Sequence, residues 1–354
     1  MKADEFKFLG ANGVMLPGII WRPICTPTMV LQITHGMTEH IGRYKKLAEY
    51  LTEYGIAVAG FDLRGHGHNP GDPRCASLGK NGWKNSLHDM HLFHLELKSK
   101  FPNVPHFMLG FSLGSFLLRD YLGLYSDRIA GAIIMGTGHQ SGCVLNMLMP
   151  IIKWEILTHG FDSSTKRIDQ LSFESYNQQF GPTLTSVDWL CSDTTQRTRY
   201  LANPLCRRSI SAGLFWQLLD AMKRTGKLAS YSKWDKQMPV LLLSGEEDPV
   251  GDHGKGVRRV VKTMGRAGMK HIQMYLIPRS RHDLFHEEKK RWLRGSVRYS
   301  DELAFREYLR KAASWQEEKR LVNSWRKCGW QQAQRNTMGT PIWIWLALTI
   351  RPDT

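Results

Sequence analysis

Residues 104–125, VPHFMLGFSLGSFLLRDYLGLY, constrain the fold more than any other stretch of the chain. An apolar run, Phe107-Met108-Leu109, leads into Gly110-Phe111-Ser112-Leu113-Gly114, after which Phe116, Leu117, Leu118, Tyr121 and Leu122 recur with a 3.6-residue period. The pattern predicts a strand, a sharp turn and a helix. Glycine two positions before and after Ser112 lets strand and helix backbones approach closely, so the turn projects the hydroxyl from the sheet. It also sets Ser112 at a helix N-terminus, where free N–H groups favour developing negative charge. The same five residues also fit a serine that merely caps a helix in a glycine-rich turn.

The rest of the chain supplies the context. Residues 6–9 and 18–22 read as two strands around Ala11-Asn12-Gly13, whose Asn-Gly step signals a hairpin and an antiparallel start. Strands follow at 28–34 and 56–61, with a helix at 44–54 between them whose apolar stripe is Leu47, Ala48 and Leu51. A second helix at 83–101 precedes the strand at 105–109, and another strand is expected at 129–135. Strands alternating with helices predict crossovers in a mostly parallel sheet. Residues 139–236 break this rhythm: they are rich in Met, Trp, Phe and Leu, with helices expected at 144–157 and 211–224, and read as an insertion over the sheet. Alternation resumes with a strand at 239–243, a helix near 255–264 and a strand at 271–277.

Functional groups of such folds sit beyond the carboxyl ends of strands. Asp248, in Gly245-Glu246-Glu247-Asp248-Pro249, is the candidate orienting acid, and His282, in Arg281-His282-Asp283, the candidate general base. Each follows its own strand, as Ser112 does. A serine hydroxyl is a weak nucleophile at neutral pH, so a base must take its proton and return it to the leaving group, while an acid fixes the ring tautomer. The oxyanion needs two backbone donors. Leu113 N–H, directly after the nucleophile, is one, and Met37 N–H in the His35-Gly36-Met37 loop is the second by analogy with serine hydrolases of this triad order.

The combination resembles the monoacylglycerol lipase and lysophospholipase group of α/β-hydrolases, a group also classified as serine aminopeptidase-like. The resemblance rests on His35-Gly36-Met37-Thr38-Glu39-His40 with Arg43-Tyr44, Phe61-Asp62-Leu63-Arg64-Gly65-His66-Gly67, the Ser112 turn, residues 245–250 and Arg281-His282-Asp283, and spans about residues 5–289. It implies an α/β-hydrolase fold with a mostly parallel sheet, an antiparallel N-terminal start and a helical cap. The core would occupy 1–138 and 237–322, the cap 139–236, and an atypical tail 323–354. It further implies hydrolysis of a lipid-like carboxylic ester through an acyl-serine, with His35, Gly36 and Phe111 beside the substrate, no metal and no organic cofactor. Transient contact of the cap with a membrane surface fits the same reading. Glu39, His40, Arg43 and Tyr44 either shape the polar side of the pocket or form a packed helix start.

Two other function classes compete. A serine aminopeptidase or amidase would use the same three residues, and a non-catalytic lipid carrier would use the same fold but predicts loss of one of them. The net charge of +16 raises a polyanion-binding reading. Residues 290–354, however, hold 13 Lys+Arg against 6 Asp+Glu, a net +7 in under a fifth of the chain, so no nucleic-acid partner is expected. Residues 290–354 also carry six of the twelve Trp, and the tail at 323–354 reads as a disordered appendage, an interfacial patch or an out-of-frame sequence, with a helix expected at 301–321 before it. Six cysteines without CxxC spacing predict reduced thiols, and the absence of a signal sequence or an apolar run of about 18 residues predicts a cytoplasmic protein. His66, His68, His88, His91 and His94 lack a companion carboxylate pattern, so His91 and His94 read as a solvated helix face rather than a metal site.

Overall fold

Apolar strands and amphipathic helices alternate from the hairpin onward, and they assemble around one eight-stranded sheet. The computed structural model describes residues 1–69, 71–206 and 209–287. The expected helix at 301–321 and the tail at 323–354 lie outside the described residues. Strands β1 (Lys2–Leu9) and β2 (Met15–Arg22) pair antiparallel across a turn in which Asn12 and Gly13 adopt positive φ. β3 (Met29–Thr34) leads through helix α1 (Lys45–Glu53) to β4 (Ile56–Phe61). The short β5 (Cys75–Ala76) and α2 (Gly82–Lys100) precede β6 (His106–Phe111), α3 (Leu113–Tyr125) and β7 (Gly131–Met135).

Between β7 and the next sheet strand lie α4 (Gly142–His159) and α5 (Lys166–Asp169), which runs on through a π-turn at Gln170–Glu174 into α6 (Ser175–Asn177). Then come α7 (Thr194–Ala202), β8 (Ser209–Ile210) and α8 (Ala212–Thr225). The stretch is mainly helical but not free of strand: β8 pairs in parallel with β5, tying it to the loop after β4. β9 (Val240–Gly245), α9 (Lys255–Arg266) and β10 (Ile272–Ile277) complete the described elements.

The sheet order is β1-β2-β4-β3-β6-β7-β9-β10, with all pairings from β4 to β10 parallel. The chain moves outward from β3 to β4 and then returns across β3 to β6. Strand order reverses there, which opens a crevice beyond the carboxyl ends of β3 and β6. Strand side chains alternate between the two faces. Phe107 and Leu109 join Leu47 and Leu51 of α1 on one side, while Met108 joins Phe93 of α2, Leu117 of α3 and Leu218 of α8 on the other. Both faces are covered, as parallel strands require.

Two expectations are corrected here. His94 is buried rather than solvated, because Met90, Phe93, His94 and Leu97 form the face of α2 turned to the core. Its ring meets that of His106 edge-on at 5.3 Å, and burial lowers the His94 pKa to about 3 and the His106 pKa to about 4. Cys25 is disulfide-bonded, whereas Cys75, Cys143, Cys191 and Cys206 are free thiols. Pairing depends on proximity in space, which the absence of CxxC spacing does not report.

Candidate active site

Ser112 leaves β6 in a conformation that few side chains adopt, with φ 50° and ψ −117°. The turn is that tight because β6, α3 and β3 converge on it. A Cβ on Gly110 would collide with Gly114 O, and one on Gly114 with Thr34 O, so only glycine fits at either place. Ser112 N–H donates to Met135 O at 3.0 Å, while its carbonyl accepts from Ser115 N–H at 2.8 Å and starts α3. The first N–H groups of that helix are left for a ligand or substrate.

Asp248 and His282, 34 residues apart, meet beyond β9 and β10. Asp248 Oδ1 stands 2.9 Å from His282 Nδ1 and accepts Val250 N–H at 2.9 Å, and Oδ2 accepts the Ser244 hydroxyl at 3.3 Å. A carboxylate can only accept, so Nδ1 carries a proton, and in the neutral ring Nε2 is then the acceptor. Nε2 has no hydrogen-bond partner among the described residues. The ring is fixed between Phe111 at 4.9 Å and Trp189 at 5.0 Å, and Gly136 approaches so closely that a Cβ there would lie 2.9 Å from Cε1. Ser112 Oγ and His282 Nε2 are not hydrogen-bonded to each other in this structure.

Met37 and Leu113 both line the cavity that reaches Ser112, and neither backbone N–H has an acceptor among the described residues. The loop bearing Met37 is held from behind. Glu39 Oε1 accepts Gly36 N–H at 2.6 Å and the Tyr44 hydroxyl at 2.8 Å, Arg43 binds Oε2, and Arg43 reaches on to Asp283 at 2.9 Å. Glu39, Arg43 and Tyr44 therefore form a packed, ion-paired helix start. Burial raises the Tyr44 pKa, and the neighbouring carboxylate Glu39 raises it further. Burial opposes ionisation of Asp283, but the charges of His286 and Arg43 outweigh it and hold that carboxyl below the usual range.

His35 and Phe111, expected beside the substrate, do not line the cavity at Ser112. His35 is wholly buried, its Nε2 accepting Leu63 N–H at 2.9 Å and its Nδ1 donating to Gly36 O at 2.8 Å, so it braces the loop against the turn after β4. Phe111 is buried under His282. Gly36 offers its N–H to Glu39, and a Cβ there would press on Phe111 at 3.1 Å. Among the described residues no group of three or more His, Cys, Asp or Glu side chains is arranged to hold a metal ion.

The cavity at Ser112 has a volume of about 180 Å³ and no charged residue in its lining. Its walls come from α3 (Phe116), α4 (Leu145, Leu148), α8 (Leu218, Leu219) and the 171–189 stretch (Phe173, Tyr176, Trp189). A second, more open cavity of about 470 Å³ shares Phe173 and Trp189 with it and adds the polar groups Thr38, Asp169, Glu174 and Tyr200. Trp189 and Tyr200 carried no motif in the sequence. Their aromatic character within an apolar insertion was the only signal.

Residues 26–289 match the family described as "Serine aminopeptidase, S33". The chain is 27% identical to monoglyceride lipase of Homo sapiens over 308 residues, covering 80% of this chain and 88% of that protein. It is 36% identical to the monoglyceride lipase homolog of Monkeypox virus over 241 residues, covering 66% and 75% respectively. In fold it is similar to a thermostable carboxyl esterase from Bacillus coagulans, with a TM-score of 0.71 at 22% identity over 81% of this chain and 93% of that one. It is likewise similar to a soluble variant of monoglyceride lipase from Saccharomyces cerevisiae, with a TM-score of 0.61 at 19% identity over 81% and 90%. With the β3–β6 crevice, the Ser112 turn and the Asp248–His282 pair already in place, the match over residues 26–289 means that the chain belongs to the serine aminopeptidase S33 family of α/β-hydrolases.

Proposed function

We propose that this chain hydrolyses the carboxylic ester of a single-acyl-chain lipid, of the monoacylglycerol or lysophospholipid class, through an acyl-serine intermediate. The observation that carries the proposal is the uncharged cavity ending at Ser112 beside a histidine whose Nδ1 is engaged by Asp248 and whose Nε2 is available. Ser112 Oγ attacks the ester carbonyl carbon while its proton passes to His282 Nε2, the Ser112–His282 hydrogen bond closing as substrate binds. Met37 and Leu113 N–H groups receive the oxyanion, in a site where low dielectric strengthens each bond. Collapse breaks the bond to the alcohol oxygen, which takes the proton from His282. Water then attacks the acyl-serine with His282 as base, releasing the fatty acid and restoring Ser112.

The acyl chain occupies the uncharged cavity and the alcohol half the second, polar one. Residues 139–236 serve as the cap over both. Helix α4 is apolar on its outer face as well, with Met147 66%, Trp154 49% and Leu157 75% exposed, which suits contact with a lipid surface. No helix among the described residues is long and apolar enough to cross a membrane.

An aminopeptidase reading draws on the family description and on Asp169 and Glu174, which border the second cavity and offer charge to a free amine. A panel of p-nitrophenyl esters, monoacylglycerols and aminoacyl anilides, turned over by the full chain and by Ser112→Ala, decides between the two. Ester turnover that rises with acyl length and vanishes in Ser112→Ala supports the lipase reading. Cleavage of anilides alone overturns it.

A further inference from the structure

Arg119 lies two turns beyond Ser112 on α3, and only 1% of it is exposed. A buried cation is costly to keep unless it is paired, yet Arg119 forms no ion pair with any described residue. Its guanidinium instead bonds to four neutral acceptors. Nη1 donates to Thr137 Oγ1 at 3.1 Å and Gly138 O at 3.0 Å, and Nη2 to Thr225 O at 2.8 Å and Tyr231 Oη at 2.6 Å. A side chain needed only for packing would carry no charge here, since an apolar residue of similar volume fills such a site at no desolvation cost.

The Nη1 side of the fork explains why the charge is kept. Thr137 and Gly138 belong to the loop that leaves β7, and that loop is the floor under the acid–base pair. Gly136, the first residue of that loop, lies so near His282 that a Cβ there would be 2.9 Å from Cε1; Gly138 sits so close to Val250 O that a Cβ there would collide with it, and Val250 N–H is a donor to Asp248. Gln140, two residues further on, lines the cavity at Ser112. Nothing else on α3 reaches this loop with a polar group in the described hydrogen bonds. The Nη2 side goes to the end of α8, which is held independently because Arg224 pairs with Asp120 at 2.7 Å.

We infer that Arg119 is a positioning residue for the reaction: through Thr137 and Gly138 it holds the 136–140 loop that sets His282 and the Val250 N–H bond to Asp248. The inference rests on the hydrolase reading above for its kinetic consequence, but not for its structural one.

Two near-isosteric variants separate positioning from mere stabilisation, because each removes one hydrogen bond from the same buried cation. Thr137→Val loosens the loop side and Tyr231→Phe the opposite side, where Tyr231 lies in the turn Leu228–Tyr231 after α8. With a p-nitrophenyl ester, Thr137→Val is expected to lower kcat about tenfold with KM within about twofold, whereas Tyr231→Phe leaves both within about twofold. Arg119→Met should lower kcat further. Hydrogen exchange of the full chain supplies a readout free of activity: Thr137→Val accelerates amides in residues 136–140 and 248–251, and Tyr231→Phe does not. Equal effects of the two variants on kcat, or unchanged exchange at 136–140 in Thr137→Val, overturn the inference. If Arg119→Met does not fold, the isosteric pair still decides. If the wild-type chain turns over no ester, the hydrolase reading fails on its own, and the exchange pattern still decides the role of Arg119.

Discussion

Arg43 Nη2 lies 2.9 Å from Asp283 Oδ2, joining the residue after His282 to the helix start that supports the Met37 loop. The same guanidinium binds Glu39, whose other oxygen accepts Gly36 N–H. One buried ion network thus joins the neighbours of His282 and Met37, although 240 residues separate Arg43 from Asp283. It fixes the two loops relative to each other.

Replacing Arg43 strands two buried carboxylates at once. Arg43→Met is expected to cost about 3–5 kcal/mol of stability by urea unfolding, because breaking a buried pair leaves uncompensated charge. It should also lower kcat in the fraction that remains folded. A loss below about 1 kcal/mol would show that the network contributes little.

The buried histidines predict a loss of stability in acid. The His94 pKa falls from 6.5 to about 3 through burial, with His106, Lys98 and His91 adding like charge. A histidine whose folded pKa is lowered binds more protons unfolded, so its contribution is complete above pH 6.5 and declines as pH falls toward the folded value. At pH 5 this amounts to about 2 kcal/mol for one such group. Melting temperatures at pH 7.5 and 5.0 should therefore differ more in the wild-type chain than in His94→Phe. An equal difference in both chains would remove His94 from the account.

Strain at the turn separates two inactive variants. Ser112 holds a positive φ that glycine adopts without strain and that strains alanine as it does serine. Ser112→Gly should be about 1 kcal/mol more stable than Ser112→Ala, both being inactive. Gly114→Ala, by contrast, forces a Cβ into Thr34 O and should destabilise by about 3 kcal/mol. Chemical denaturation of the three variants checks the order, and a Gly114→Ala chain as stable as wild type would contradict the packing described.

The outer face of α4 predicts adsorption to lipid. Vesicles of phosphatidylcholine should bind the wild-type chain about tenfold more tightly than a Met147→Ser, Trp154→Ser, Leu157→Ser variant, while turnover of a short soluble ester stays the same. Equal sedimentation of both chains with vesicles would remove α4 as the contact.

The elements that position the site were legible because each is written locally. β3, β4, β6, β7, β9 and β10 are short, largely apolar runs bounded by turn residues, and Ser112, Asp248 and His282 follow β6, β9 and β10 respectively. Relationships that depend on which distant residues meet were not. His94 looks polar in sequence but falls on the core face of α2, and Cys25 is bonded despite the lack of any spacing signal. The resemblance implied His35 beside the substrate, and its ring hydrogen-bonds instead to Leu63 and Gly36. The Glu39–Arg43–Asp283 network, the Trp189 wall and the Arg119 fork join segments remote in the chain, and no periodicity or motif carries that information.

The acyl-serine intermediate is tested most directly by mass spectrometry of the full chain, acid-quenched within seconds of mixing with p-nitrophenyl decanoate. The account predicts a decanoyl adduct on the peptide containing Ser112, transient in the wild-type chain, persistent in His282→Gln if it forms there, and absent from Ser112→Ala. Ester turnover without that adduct, continuing in Ser112→Ala, would contradict it.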